Sequence, residues 1–478
     1  MAFVGSCSTF MSENSWSEKA PSQELNQLGS MLSNLSEEEF ETSLFFQGLE
    51  GRRRKAALVL TIVWCMTIAL HLVSWGIWVS LSLTTIVGIH SLRLLLAQPL
   101  KTPQPCLDEE KDDFPFVSLL VAAKNEESVI SNLVQSLCQL DYPKNQYELW
   151  VIDDYSTDQT PEILDKLAAT YDQLKVLHRS ANAGGGKSGA LNQVLGLTKG
   201  EIVAVFDADA KVPKDMLQRV LPLFNNPRVG AVQVRKAIAN AALNFWTRGQ
   251  MAEMALDSYF QQQRIAVGGI AELRGNGQFV RRSALQRCGA WNEETITDDL
   301  DLTIRLHLDQ WDIGFLNYPP VEEEGVTSAI ALWHQRNRWA EGGYQRYLDY
   351  WRLIVSNRLG LRKTIDLFTY LIIQYFLPTA AVPDCLMAIA RNRLPIFSPI
   401  TGLTVTVSVI GMLVGLRRTN QNRRLRVSNL LVPLLQTLRG NLYLLHWMLV
   451  MAATTARMSV RPKRLKWVKT VHRGGSEE

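Results

Sequence analysis

EIVAVFDADA (Glu201–Ala210) places two aspartates, Asp207 and Asp209, directly after an uninterrupted apolar run rich in β-branched residues. Such a run predicts a strand buried on both faces, the kind found inside a parallel sheet. Two carboxylates that bracket one residue beyond a strand can share a divalent cation and leave positions for phosphate oxygens. Taken alone the triplet is common and usually solvated, so its neighbours decide what it means.

Those neighbours repeat one unit. FVSLLVAA (Phe116–Ala123) precedes a helix expected from Glu126, and YELWVID (Tyr147–Asp153) precedes one after Thr157. LKVLH (Leu174–His178) leads to a helix from Lys187, and the EIVAVFD run leads to one after Pro213. Repeated βα units predict an α/β fold with a mostly parallel sheet covered on both faces. Ligands of such sheets sit at the carboxyl ends of the strands, where VIDDYSTD puts a second aspartate pair, Asp153 and Asp154.

Three further segments carry chemistry. ANAGGGKSGALN lacks the first glycine of a P-loop, which would fall at Ala181, so a nucleoside triphosphatase is disfavoured. Lys187, leading a helix after glycines, suits an anion; it equally suits a solvated loop lysine. LRGNGQFVRR (Leu273–Arg282) includes Asn276 and Gly277, and TITDDLDLTIRL follows it. Thr297 is placed to cap that helix with Asp298 and Asp299 in its first turn, an arrangement the helix dipole alone would favour. QRNRW sets Gln335, Arg338 and Trp339 together, a guanidinium beside an indole, which also fits a membrane-surface anchor.

The flanks differ from this middle. Hydrophobic content of 47%, charged content of 20% and a net charge of +4 exclude a disordered, collagenous or nucleic-acid-coating chain. Residues 1–50 hold eight acidic residues and one lysine, whereas residues 417–478 hold thirteen Lys/Arg and two Glu. A basic end beside long apolar stretches favours an anionic membrane as partner and no nucleic acid. Ala56–Leu92 contains no charged residue; as one helix it would measure roughly 55 Å, against an apolar bilayer thickness of about 30 Å. Two crossings with a break around His71–Gly76 are expected, with Arg and Lys at both ends on the cytoplasmic side. Two more spans are expected over Leu367–Ala390 and Leu394–Leu416. Val427–Ala456 leaves a re-entrant pair, two short spans or one crossing open. The six cysteines are scattered, which argues against a zinc site or disulfide framework and fits a reducing compartment. No leader is expected, since the first apolar run starts near Ala56.

The expected organisation is therefore an acidic arm (1–51), a transmembrane hairpin (52–100), a linker (101–115), a catalytic α/β domain (116–330), amphipathic interfacial helices (331–362), further membrane helices (363–456) and a basic tail (457–478). That describes a multi-pass membrane protein whose catalytic domain is cytoplasmic.

The order D-D, K-x-G-x-L-N, D-x-D, T-D-D, Q-x-x-R-W resembles the family 2 glycosyltransferases, in particular their membrane-embedded synthase branch, over about Phe116–Trp339. The resemblance implies a GT-A-type, Rossmann-like nucleotide-sugar domain inserted between transmembrane helices. It implies that Asp153 or Asp154 holds the uridine, that Lys187 contacts the nucleotide, and that Asp207 and Asp209 bind UDP and a divalent cation, Mg²⁺ or Mn²⁺. Asp299, with Asp298 beside it, would be the general base, and Arg338 would neutralise the departing diphosphate. Asn276, Gly277, Gln335 and Trp339 would shape the acceptor side. One departure is Lys124 in AAKNEE, where several synthases have an aromatic. The implied reaction is inverting transfer of glucose from UDP-glucose to diacylglycerol, a membrane lipid. The alternatives are a processive polysaccharide synthase, which Q-x-x-R-W favours, and a transporter or scaffold that only binds nucleotides, which the complete aspartate set disfavours.

Overall fold

The computed structural model describes residue 45 and residues 50–105, 115–419 and 431–461. Most of the acidic arm, residues 420–430 and the tail beyond residue 461 lie outside them. Helices α1 (Arg52–Leu72) and α2 (Gly76–Leu96) form the expected hairpin, broken at residues 73–75. Each has 21 residues, about 32 Å of helix and enough for a bilayer core. Trp75 and Trp78 stand exposed at the turn, where amphipathic rings suit a membrane boundary.

The α/β part follows in chain order: β1 (Val117–Ala123), α3 (Ile130–Cys138), β2 (Tyr147–Asp153), α4 (Thr160–Ala168), β3 (Leu174–His178), α5 (Gly186–Leu195), β4 (Ile202–Phe206), α6 (Met216–Val220), β5 (Val229–Ile238), α7 (Phe245–Ala266), β6 (Gln278–Arg281), α8 (Arg282–Arg287), α9 (Asp298–Leu308) and β7 (Asp312–Glu323). The strands form one seven-stranded sheet in the order β3-β2-β1-β4-β6-β5-β7. Only β6 runs antiparallel to its neighbours. The direction of strand succession reverses between β1 and β4, the switch point at which open α/β sheets bind ligands. Leu133, Leu137, Leu164 and Met216 cover one face, and Leu191, Leu285, Leu302 and Leu306 the other. Full burial of such a side chain contributes about 1.5–3 kcal/mol.

The helix expected from Glu126 starts at Ile130 instead. Residues before it are held as a turn, with Asn125 N–H donating to Ser156 Oγ and Glu126 N–H to Thr160 Oγ1, both at 2.8 Å.

The remaining helices are α10 (Ala329–Val355), α11 (Leu361–Ala390, passing through a π turn at Ile372–Phe376), α12 (Ser398–Thr419) and α13 (Leu431–Val460). Helices α1, α2, α11 and α12 are long and apolar enough to cross a membrane. Over its described residues the last apolar stretch forms one continuous 30-residue helix, α13, which is not among those four. Asp384, the charge inside α11, accepts from His71 Nε2 at 2.6 Å and from the Ile396 and Phe397 amides at 2.7 and 3.1 Å. It thereby secures the approach to α12.

Two features differ from expectation. Helix α10, expected at a membrane interface, has exposed ends and a buried centre, Gly342–Tyr350. Its charges are matched there: Arg346 meets Glu272 at 2.7 Å, and Asp349 meets Arg52 at 2.6 Å. The other is α7, a helix with no apolar stripe. A reciprocal capping box starts it, Asn244 Oδ1 accepting from Thr247 N–H while Thr247 Oγ1 accepts from Asn244 N–H. Ala252 and Ala255 then pack against Met412 and Leu416 of α12, tying the sheet domain to the long apolar helices.

Candidate active site

The carboxyl ends of β1, β2, β4 and β5 open into one cavity of about 1500 Å³ that continues down between the long helices α11, α12 and α13. A drug-sized ligand site occupies about 300–1,000 Å³, so this space admits more than a small ligand.

Most predicted residues meet in its wall: Asp154, Lys187, Asp207, Asp209, Asp298, Asp299, Gln335, Arg338 and Trp339. Lys187 Nζ donates to Asp207 Oδ1 at 2.6 Å. Burial disfavours the lysine's charge, yet Asp207, Asp298 and Asp299 outweigh it and hold Lys187 more firmly protonated than usual. Asp209 Oδ2 accepts from Glu324 N–H at 2.9 Å. Lys124 stands beside Asp154, donating to its carbonyl at 2.9 Å, and Arg179 pairs with the Asp154 carboxylate.

Asp298 and Asp299 open α9, but the Thr297 hydroxyl makes no capping bond. Its side chain packs against Gly342 of α10, where a Cβ would lie 2.1 Å from Thr297 Oγ1. Gly342→Ala is accordingly expected to displace the Thr297–Asp299 turn and lower turnover while binding of the UDP that the family resemblance implies persists. Steady-state rates beside a UDP titration check this, and a wild-type rate would refute it. Burial first, and the charge of Asp298 second, push Asp299 up to about 6; its bond from Leu300 N–H and the nearby Lys187 and Lys236 pull the other way. Burial holds Arg338 below the usual guanidinium range, partly opposed by Asp207.

Three predicted residues stand elsewhere. Asp153 is buried behind the cavity, accepting from Ser156 N–H at 3.0 Å and paired with His178 at 3.0 Å. Of the two aspartates of VIDD, Asp154 is the one that lines the cavity. Asn276 is fully buried, its Oδ1 accepting from Asp207 N–H at 3.3 Å and its Nδ2 donating to Glu323 at 3.4 Å. Gly277, with φ +70°, donates to Val205 O at 3.0 Å. Both brace the D-x-D strand end from beneath, and it is Gly275 that reaches the cavity wall.

Other residues were not foreseen. Gln233 on β5 ties the Arg274–Gly277 loop down, accepting from Arg274 N–H at 2.6 Å and donating to Asn276 O at 2.8 Å. A register shift between β5 and β7 brings Lys236 onto Glu323 at 2.9 Å, with its ammonium 5.4 Å from the Trp339 ring centre. The Arg336 guanidinium lies 4.0 Å from the same ring centre. Arg336 also meets Glu253 of α7 at 2.5 Å and Tyr443 Oη of α13 at 3.1 Å, so the indole is set by three helices. Deeper in the wall, Glu272 is flanked by Arg346, Arg274 and Arg264 at 2.7, 2.8 and 3.9 Å.

Among the described residues no three His, Cys, Asp or Glu side chains converge as a metal-holding group. Asp207 and Asp209 nonetheless fit a hard divalent cation, because both are carboxylates on the cavity wall and the remaining positions suit phosphate oxygens.

A mostly parallel sheet with paired aspartates at its switch point, lysine and arginine side chains around them and an acidic helix start is the arrangement of a nucleotide-sugar transferase fold. The chain belongs to glycosyl transferase family 2, whose family model matches residues 118–289. It is 63% identical to the beta-monoglucosyldiacylglycerol synthase of Nostoc sp., over 98% of this chain and all of that one. The protein of the same name from Synechocystis sp. is 58% identical over 92% of both chains. In fold it is similar to a mannosyltransferase from Pyrobaculum calidifontis solved with GDP-Man and Mn²⁺, at a TM-score of 0.51 and 21% identity, covering 80% of this chain and 99% of the other.

Proposed function

We propose that this chain transfers glucose from UDP-glucose to the free hydroxyl of 1,2-diacylglycerol, inverting the anomeric carbon, at the cytoplasmic side of a membrane. The observation that carries this is the single cavity, which joins Asp207, Lys187, Asp299 and Arg338 to apolar walls between membrane helices. The near full-length similarity to beta-monoglucosyldiacylglycerol synthases supports the choice of sugar and acceptor.

In this mechanism Asp154 and Lys124 hold the nucleoside end, and Lys187 and Arg338 meet the diphosphate. A divalent cation held by Asp207 and Asp209, Mg²⁺ or Mn²⁺, would supply further charge neutralisation for the diphosphate as it departs. Gln335 and Trp339 shape the acceptor side, and Arg336 and Lys236 fix the indole from its surroundings. Asp299 takes the proton from the lipid hydroxyl as its oxygen bonds to the anomeric carbon. The bond from that carbon to the diphosphate oxygen breaks, and its electron pair leaves with UDP. With Asp299 as base and the acceptor oxygen itself attacking the anomeric carbon, the reaction is a single displacement, so an α-linked donor yields a β-glucoside. The basic tail and the exposed Arg53 and Arg54 in the first turn of α1 suit anionic lipid at the cytoplasmic face.

Purified protein given labelled UDP-glucose and diacylglycerol is expected to form one glycolipid; a polymer that resists lipid extraction would support a processive synthase instead. Asp209→Ala is expected to weaken Mn²⁺-dependent UDP binding at least about tenfold, since even outer-shell losses cost metal sites that much. Calorimetric titration with and without Mn²⁺ checks this, and unchanged binding would remove Asp209 from the cation site.

A further inference from the structure

We propose that the far arm of the cavity is the acyl-chain site of the lipid acceptor and that it opens sideways to the bilayer between α12 and α13. The proposal rests on the glycolipid activity proposed above. The same side chains that line this arm also face outward: Leu438 is 70% exposed, Leu442 60%, Leu445 54% and Val405 52%. A lining side chain more than half exposed stands at the rim of a cavity, which puts these four at the mouth. Helix α12 is among those long and apolar enough to cross a membrane, so the mouth faces hydrocarbon.

The composition of the arm selects its occupant. Leu442, Leu445, Met448 and Phe397 give an acyl chain the environment it has among neighbouring lipids. A lateral opening lets the chains stay in hydrocarbon throughout, while only the glycerol end advances to Asp299 and Trp339. Polar side chains interrupt the wall at Ser398, Thr401, Thr404 and Ser408 of α12 and at Asn441 of α13. Ser408 Oγ donates to Asn441 Oδ1 at 3.0 Å, bridging α12 and α13. Such bonds hold membrane helices in register, and this one lies within the arm, where the ester groups of a seated lipid would pass.

The test uses full-length protein in phosphatidylcholine nanodiscs. Val405→Trp combined with Leu442→Trp narrows the mouth at two exposed positions that tolerate bulk. The double variant is expected to lose about tenfold or more in kcat/KM for dioleoylglycerol and to change less than about twofold for dihexanoylglycerol, whose chains do not fill the arm. UDP binding stays at the wild-type level. A diacylglycerol bearing a mid-chain diazirine is expected to label peptides of α12 and α13 in the wild type, and the two tryptophans should suppress that label. An unchanged rate on the long-chain acceptor, an equal loss on both acceptors, or labelling confined to other helices would overturn the proposal. Labelling of α12 and α13 in a wild type that glucosylates neither acceptor would support the lipid site and overturn the activity assigned to it.

Discussion

Asp299→Asn is expected to lower turnover by about 10²–10⁴, the usual contribution of a positioned general base, while UDP binding and folding persist. The acceptor hydroxyl is a weak nucleophile at neutral pH, and asparagine keeps the shape of the side chain without a site for the proton. Burial and the adjacent Asp298 charge push Asp299 up to about 6, so the acid limb of kcat/KM, which reports the free enzyme, should turn near pH 6. The sign for stability follows from the same shift. The ordinary aspartate value is about 3.9, and a folded value above it means that the fold favours the neutral acid. The ionised carboxylate therefore subtracts from stability at neutral pH, and this cost fades as pH falls from about 6 towards 4. At pH 7.5 the asparagine variant should melt no lower than wild type, and any advantage should shrink by pH 5. Retained turnover, or an acid limb near pH 4, would remove Asp299 from the role of base.

What the sequence disclosed and what it hid have separate physical reasons. Asp154, Lys187, Asp207, Asp209 and Asp299 stand where strands end or helices begin, and a parallel sheet gathers such positions at one edge. Their convergence was legible for that reason. Asp153 and Asp154 could not be told apart, because successive side chains point to opposite sides of the sheet and the run itself does not say which side is the cavity. Asn276 and Gly277 share a motif with Gly275, yet only the backbone path of the loop decides which of them reaches the wall. Lys236 and Glu323 meet through a register shift between strands far apart in the chain, and no local pattern encodes that. Helix α7 hid for another reason. Gln250, Gln261 and Gln263 are buried, each hydrogen-bonded to backbone carbonyls, so its buried face carries no apolar period. In α10 the Arg346–Glu272 and Arg52–Asp349 pairs let a charged stretch run through the interior, where composition predicted a membrane surface.

The Glu272–arginine cluster yields the largest expected loss of stability. Glu272 is fully buried, and Arg346, Arg274 and Arg264 surround it. Burial alone would raise its carboxyl, but the three guanidinium charges outweigh that and hold it far below the usual carboxylate range. Its stabilisation is therefore present above the ordinary glutamate value of about 4.3 and is lost only in strong acid. Glu272→Gln retains the volume and removes the charge. Arg264 keeps Asp366 at 2.8 Å and Arg274 keeps Asp257 at 2.5 Å, whereas Arg346 loses its one ion pair among the described residues. Breaking one side of a buried pair costs about 3–5 kcal/mol, a large share of an overall stability of about 5–15 kcal/mol. The single variant should show a markedly lower melting temperature in detergent and a reduced monodisperse peak, by a margin constant between pH 5 and 8. Adding Arg346→Met should recover more than half of the loss, because the stranded charge is then gone and an apolar side chain of similar length replaces it. A Glu272→Gln protein that melts as the wild type does, or a double variant no more stable than the single, would show that the cluster does not hold α10 to the catalytic domain through this charge.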